Sequence, residues 1–391
     1  MKYTFKDICT KIGSGATPTG GKEAYKGGDY ALVRSQNVLD YTFTTSGLAY
    51  INETQAKKLD GVKVEVGDVL LNITGDSVAR ACIIPDEILP ARVNQHVAII
   101  RANNQYALNE YLLYFLQYNK QYLLSISQGG GTRSAITKKM IEDIEIDLPS
   151  IEDQLAIVNI INNISKKIEV NQQINDNLEQ QAQNIFNHYF IDNPIELGSY
   201  SEGVLTDIAV YLNGLAMQKF RPEGSDFGLP VLKIKELGQR SCDNNSDRCS
   251  SLIKEEYIVN DGDVIFSWSG TLLVDLWCGG KCGLNQHLFK VTSDTYPKWF
   301  YYFWTKHHLD NFIRVAKDKA VTMGHIKRTE LEKANIIVPT QDKLSEINRI
   351  MSPIITKIIN HRIEMRKLAQ LRDSLLPQLM SGELKINEID C

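Results

Sequence analysis

The sequence predicts an α+β chain in which two similar globular modules are separated by a pair of long antiparallel coiled-coil helices in a pseudo-twofold arrangement. Three observations carry that expectation. A set of short motifs recurs in one order at an offset of roughly 190 residues, and a self-match of this kind takes precedence over other readings. Within each copy, short apolar runs alternate with turn residues, as strands of a mixed module do. Each copy then runs into a long segment with apolar residues at coiled-coil spacing. Two copies this long are too large for solenoid units, so each is expected to bury its own core.

The motifs fix the order. Gly67-Asp68-Val69 returns as Gly262-Asp263-Val264, and Thr74-Gly75 as Ser269-Gly270. Asn94-Gln95-His96 returns as Asn285-Gln286-His287, Thr132 with Ile136 as Thr322 with Ile326, and Leu148-Pro149 as Val338-Pro339. The expected boundaries are 1–150 for the first module, 151–193 for a central helix, 194–340 for the second module, and 341–391 for a C-terminal helix and tail. In the first module, Val62–Val66 alternates as a strand, Gly67-Asp68 turns, and Val69–Ile73 continues as a second strand. Val97–Ile100 is a short apolar strand, and Tyr111–Leu124 is a helix. The second module echoes this with Asp263–Phe266, His287–Val291 and the aromatic run Trp299–Trp304. That run matches the Tyr111 helix in order, which favours a core helix over an exposed stacking platform.

The long segments read as helices. Ile157, Ile161, Ile164 and Ile168 step by four, three and four, and Leu178, Ala182, Ile185 and Tyr189 resume the register after Asn171 and Asn175. Ile347, Met351, Ile354, Ile358, Met365, Leu368 and Leu375 do the same, with His361 on the stripe. Neither segment has an internal glycine. Two such rods most simply pack antiparallel, with Asn171, Asn175 and His361 setting the register at some cost in stability. Left apart, each would expose a long apolar stripe.

Bulk composition narrows the function classes. The N-terminus has no apolar leader and no segment is an uninterrupted apolar span, so a cytoplasmic chain without membrane contact is expected. Seven cysteines, odd in number and without repeat symmetry, read as reduced thiols. Cys242, Cys249, Cys278 and Cys282 lack zinc-knuckle spacing, and no metal site is assigned. The net charge is −4, but residues 151–193 alone carry two basic and six acidic side chains. The modules are close to balanced, at 16 basic to 16 acidic and 17 to 18, so any nucleic-acid contact has to come from a local patch. A search for catalytic and cofactor motifs finds no G-x-G-x-x-G, Walker A loop, H-E-x-x-H or G-x-S-x-G. Asp192-Asn193-Pro194-Ile195 falls short of the tetrapeptide of amino-methylating enzymes. The N-Q-H triplets lack a recurring nucleophile or carboxylate, so Asn94, Gln95, His96, Asn285, Gln286 and His287 are expected to tie a loop to a strand. No catalytic residue and no cofactor site is assigned to this chain.

The ordered blocks carry a resemblance over nearly the whole chain. Ile12-Gly13-Ser14-Gly15-Ala16-Thr17-Pro18 through Tyr30-Ala31-Leu32-Val33-Arg34, the GDV and NQH blocks, and Gly129–Ile136 running to Leu148-Pro149-Ser150 are similar to a target-recognition domain. Asn184–Phe190 and Leu375–Leu384 resemble the ends of two spacer helices. Taken together, the chain resembles the specificity (S) subunits of type I restriction-modification systems. The second module departs from the pattern: Leu212-Asn213-Gly214-Leu215-Ala216-Met217 lacks the Thr-Pro step.

The resemblance implies a non-catalytic subunit whose two recognition domains each read half of a bipartite double-stranded DNA site. It implies helices that fix the unread gap and dock two methyltransferase (M) subunits, which bring S-adenosylmethionine, with restriction/translocase (R) subunits as further partners. A subunit of a related system with a fused nuclease-methylase, or a coiled-coil adaptor without a DNA role, are the competing readings. If the modules read different half-sites, shared residues cannot supply the difference, and readout belongs where the copies diverge. The candidates are Lys22, Lys26, Arg34, Gln36, Asn37, Arg80 and Arg92 in the first module, and Lys219, Arg221, Lys233, Lys235 and Lys281 in the second. Arg133, Lys138, Lys319, Lys327 and Arg328 are expected to touch phosphates, which position without specifying.

Overall fold

The computed structural model describes residues 2–18, 25, 27–128, 135–318 and 326–384. By compactness the chain divides into two units, Met1–Ser165 with Gln370–Cys391, and Lys166–Ala369. Each long helix contributes residues to both. Thr132, Thr322, Lys22, Lys26, Arg133 and Lys319 lie outside the described residues.

The first unit is built on a four-stranded antiparallel sheet ordered Cys9–Ser14, Val97–Ala102, Val69–Asn72, Ala81–Ile83. Val69–Asn72 is buried along its whole length, which explains its continuous apolar run. Glycine 67 takes φ +78, and Asp68 then accepts from Glu65 N at 2.7 Å, closing the turn into that strand. A second sheet places Tyr30–Val33 between Ala49–Ile51, antiparallel, and Ala91–Val93, parallel. Lys2–Thr4 pairs with Glu145–Asp147 and ties the two ends of the module together. The expected strand at Val62–Val66 is a correction. A 3-10 turn occupies Asp60–Val62, and only Lys63 bridges to Arg92, because Val62 and Val64 bury their side chains from an irregular segment. The Tyr111–Leu124 segment is two helices, Asn109–Tyr118 and Lys120–Ser127, broken at Asn119.

The second unit repeats this plan. Its sheet runs Val210–Asn213, Leu288–Thr292, Val264–Ser267, Leu273–Leu276, again antiparallel throughout. Leu229–Leu232 lies parallel to Cys282–Leu284 and antiparallel to Arg248–Cys249, and Tyr200–Val204 pairs with Asn335–Pro339. Glycine 262 has φ +88, and Asp263 caps Asn260 N at 2.9 Å, as Asp68 does in its module. The aromatic run forms the helix Lys298–His307, and Trp299 to Trp304 are all buried against the sheet and against Phe186 and Phe190. Each such side chain contributes on the order of 1.5–3 kcal/mol by leaving water.

The long helices span Ile151–Asn187 and Gln341–Ser381. Within the second unit they run antiparallel. Asn171 Nδ2 donates to Glu364 Oε2 at 2.9 Å, and four residues on, Asn175 Nδ2 donates to Ile358 O at 3.2 Å. Asn175 Oδ1 also meets His361 Nδ1 at 3.2 Å, so the three polar residues of the stripes are partnered with the opposite helix. Ala182, Phe186, Ile347, Met351, Ile355 and Ile358 fill the remaining seam. Within the first unit, Ile157 and Ile161 share a core with Leu376 and Leu379. Among the described residues no helix is long and apolar enough to cross a membrane, and no group of three or more His, Cys, Asp or Glu is placed to hold a metal ion.

Candidate nucleic-acid interface

In each module the Asn-Gln-His triplet forms the same turn. Asn94 N donates to Val33 O at 3.0 Å, and Asn285 N to Leu232 O at 3.2 Å, joining the turn to the central strand of the second sheet. The asparagine side chain then caps its own turn, Asn94 Oδ1 accepting from His96 N at 3.0 Å and Asn285 Oδ1 from His287 N at 3.3 Å. The histidine carbonyl receives Ile73 N in one module and Trp268 N in the other. Its Nδ1 meets Thr74 Oγ1 at 2.5 Å or Ser269 Oγ at 3.0 Å. The neighbouring glutamine amide donates to Nε2, at 2.9 Å from Gln95 and 3.4 Å from Gln286. Each imidazole is thus held at both ring nitrogens, between a hydroxyl and a glutamine amide.

Glycine is needed where the opening strand crosses this turn. A Cβ on Gly15 would lie 1.7 Å from Val93 O, and one on Gly214 2.2 Å from Asn285 O. The second module keeps this close approach despite lacking the Thr-Pro step, because the contact is made by backbone.

Beside each triplet lies a cleft. In the first module Ser35, Gln36, Thr74, Asp76, Arg80 and His96 line it. In the second the lining includes Arg221, Lys233, Lys235, Asp247, Arg248 and His287. One wall is built on the same plan, with a different capping residue in each module. The strand Tyr30–Val33 leads to Arg34, whose N–H donates to Asn37 Oδ1 at 3.1 Å; the strand Leu229–Leu232 leads to Lys233, whose N–H donates to Glu236 Oε2 at 3.3 Å. Between cap and strand, Ser35-Gln36 in one module stand where Ile234-Lys235 stand in the other. The frame is shared and the presented side chains differ.

The structure brings Gln36 and Arg80 into the first module's cleft, with Arg34 meeting Gln36 at Gly47 O, and Arg221, Lys233 and Lys235 into the second module's cleft. Gln36 is exposed and its amide donates to Gly47 O at 3.2 Å, leaving its carbonyl open. Arg34 is half-buried and also donates to Gly47 O. Lys233 pairs with Asp247, and the ammonium holds that carboxyl below the usual carboxylate range. Lys235 is exposed, 3.8 Å from Asp243.

Two candidates are corrected. Arg92 is 5% exposed, and its guanidinium donates to Ala56 O, Ala91 O and Asp60, so it braces the second sheet from inside and presents nothing to a base. Asn37 is fully buried, with Oδ1 on Arg34 N and Nδ2 on Thr44 O and Ser46 O; it shapes the cleft wall. Lys219 is exposed near the second cleft without lining it. Lys281 stands apart, on a turn fixed by Gly280 N to Asp261 and by Arg366 to Cys278 O. Lys138 is exposed and pairs with Glu142 at 3.5 Å. Lys327 and Arg328 are exposed just after Ile326, which bonds back to Trp268 O. Arg248, a cleft residue that divergence reasoning overlooked, carried a findable signal: a basic residue in a short strand next to the aligned Leu229–Leu232 strand.

Comparison with known proteins bears on this arrangement. The family model of the type I restriction modification DNA specificity domain matches residues 1–180 and again 202–368. The type I restriction enzyme MjaIX specificity subunit of Methanocaldococcus jannaschii is 26% identical, over 98% of this chain and 93% of its own length. The HindI specificity subunit of Haemophilus influenzae is 20% identical, over 90% of this chain and 94% of its own. In fold the chain is similar to the type I restriction-modification S subunit of M. genitalium, with a TM-score of 0.59 at 12% identity, covering 97% of this chain and 95% of that one.

Proposed function

The chain belongs to the type I restriction modification DNA specificity family, and from that premise we propose that each cleft beside an Asn-Gln-His turn reads one half of a bipartite DNA target. One observation supports the reading above others: an equivalent side-chain-to-backbone cap, by Asn37 in one module and Glu236 in the other, presents Ser35-Gln36 and Ile234-Lys235. A pair of readers for two different half-sites has to share its scaffold and differ at the tips. Glutamine suits adenine, offering a donor and an acceptor to N7 and N6, whereas lysine donates to guanine O6 and N7. Such contacts discriminate by about 1–3 kcal/mol each. The modules' charge balance places non-specific attraction on local cations such as Lys138, Lys327 and Arg328, which contact phosphate.

In this reading the chain performs no chemistry. It acts with two methyltransferase subunits docked on the long helices, and these carry S-adenosylmethionine and the methyl transfer; restriction/translocase subunits join the same assembly. The long helices set the unread gap, so deleting matched heptads from both shortens it.

The test exchanges the tips. Gln36→Lys and Lys235→Gln are each expressed with the methyltransferase, and the host genome is sequenced for methylated motifs. Gln36→Lys shifts one position of one half-site from adenine toward guanine and leaves the other half-site alone. Lys235→Gln does the reverse in the other half-site. Motifs unchanged in both variants would discard the assignment.

A further inference from the structure

In the second module, Phe227 is 91% exposed and Leu252 is 86% exposed. The two loops that carry them are knitted by one carboxylate. Asp226 Oδ1 accepts from Gly228 N at 2.8 Å and Ser251 Oγ at 2.7 Å, while Oδ2 accepts from Ser250 Oγ at 2.7 Å and Ser251 N at 2.9 Å. Hydroxyls first, then amides, hold that carboxyl well below the usual range. Arg248 adds a second clamp, donating through Nε to Phe227 O at 2.8 Å and through Nη2 to Gly228 O at 2.7 Å. Gly228 itself has φ +66, and a Cβ there would meet Cys249 O and Pro222 Cγ, both at 2.5 Å. The backbone is therefore fixed from both sides in order to hold an aromatic ring out in water.

The clamp ties this loop to a basic cleft. Arg248 also lines the basic cleft, with Arg221 and Lys233. Asp226, still an anion, is turned onto Gly228, Ser250 and Ser251, and Glu223, Glu255 and Glu256 are exposed on the same loops; the cleft lining itself carries Arg221, Lys233, Lys235 and Arg248 against the single acid Asp247, which is paired with Lys233. A cationic cleft bordered by a rigid apolar tip is complementary to a duplex, whose phosphates are anionic and whose base steps are apolar. Side chains such as Phe and Leu enter base steps in this way, partly unstacking them. A partner protein would be expected to meet a broader apolar face than Phe227, Leu252 and the 39% exposed Phe220 provide.

We infer that Phe227, with Leu252 on the loop joined to its own, is an apolar wedge that enters a base step beside the half-site read by the second module. This rests on the recognition reading above. A wedge must be preorganised, because a mobile ring would lose on ordering what it gains by stacking, and the double clamp supplies that.

The test uses the full chain assembled with its methyltransferase, and a duplex carrying the motif mapped by methylation sequencing, with 2-aminopurine placed in turn along the second half-site. With Phe227, one position brightens on binding, reporting an unstacked step. Phe227→Ala abolishes that brightening and weakens binding of the motif on the order of tenfold, while a scrambled duplex binds as before. Phe227→Trp restores both. Because the ring is exposed, the Ala variant keeps the thermal midpoint of the parent. Asp226→Ala, which loosens the turn without touching the ring, reduces the brightening partially. Equal motif affinity for Phe227→Ala and the parent overturns the wedge. So does an Ala variant that loses methyltransferase association rather than DNA contrast, since the ring then belongs to a protein contact. If the parent assembly does not prefer the mapped motif over the scrambled duplex, the recognition reading itself falls, and the wedge with it.

Discussion

The two modules share a fold and differ in how they are held to the helices that pass through them. In the second unit buried ionic bonds are added to the aromatic packing of Phe186 on the Lys298–His307 helix. Arg362, 6% exposed, donates to Asp275 Oδ1 and Leu276 O at 2.8 Å each and to Glu179 at 2.7 Å. Arg366 grips Asp261 through two bonds, at 2.7 and 2.8 Å. In the first unit the attachment is aromatic and amide-based. Arg372 stacks on Tyr41 with its guanidinium 3.8 Å from the ring centre, Tyr114 bonds Asn162, and buried Gln154 reaches Leu108 N at 3.1 Å and Tyr106 O at 3.0 Å. A duplicated fold thus keeps its internal hydrogen-bond frame and lets its mounting drift. The frame is fixed by backbone geometry, whereas any partner that satisfies buried groups can serve as a mounting.

That contrast is open to direct attack. The largest effect is expected for Arg362→Ala, which strands Glu179 and removes one partner of buried Asp275. A broken buried pair costs about 3–5 kcal/mol, and Arg240, still 2.7 Å from Asp275, keeps the loss toward the lower end. Denaturant unfolding with hydrogen exchange should localise the loss to the second unit; a change below about 1 kcal/mol would mean that the ionic mounting is ornamental.

Arg92→Ala comes next. It removes buried hydrogen bonds to the carbonyls of Ala56 and Ala91, which keep Leu59 N and Val64 N as backbone donors, at about 0.5–1.5 kcal/mol per bond, and loosens the sheet around Tyr30–Val33. If it instead altered the preferred base with stability intact, the internal placement of this side chain would be wrong.

Acidification sharpens the comparison further. Burial holds His307 and His308 of the second unit below the ordinary value of 6.5. Their folded values lie under the unfolded one, so the stability they confer is complete above about 6.5 and is lost as pH falls through the folded values. The second unit is therefore expected to weaken before the first between pH 7.5 and 5.5, and His307→Gln with His308→Gln should flatten that difference. Equal weakening of both units would remove the assignment. The smallest effect belongs to Lys138→Ala. An exposed pair contributes about 0–1 kcal/mol, so stability should hardly move, while binding of every duplex falls alike and the salt slope drops by about 1.

Much of this was legible in the chain itself. Motif order placed both central sheets, and the stripes placed both long helices, with Asn171, Asn175 and His361 marking the register. The irregular Val62–Val66 segment misled because alternation marks burial of alternate side chains, and an extended loop over a core produces the same pattern as a strand. Site residues were less legible. Gln36 and Asn37 are neighbours of similar chemistry, yet one is exposed at the cleft and the other buried under it.

By itself, then, the sequence determined the duplication, the element order and the antiparallel seam, because these rest on local periodicity and on motifs read along the chain. Only the tertiary structure decided which polar side chains face outward. Arg34 and Arg92 end and begin similar strand segments, but Arg92 meets Asp60 and the Ala56 carbonyl, partners 32 and 36 residues away. The Phe227 backbone is fixed by Arg248, which reaches it from the Arg248–Cys249 strand, and by the bond from Ser250 to the neighbouring Asp226. Contacts between residues distant in sequence leave no period to read, and it is they that set the chemistry of the surface.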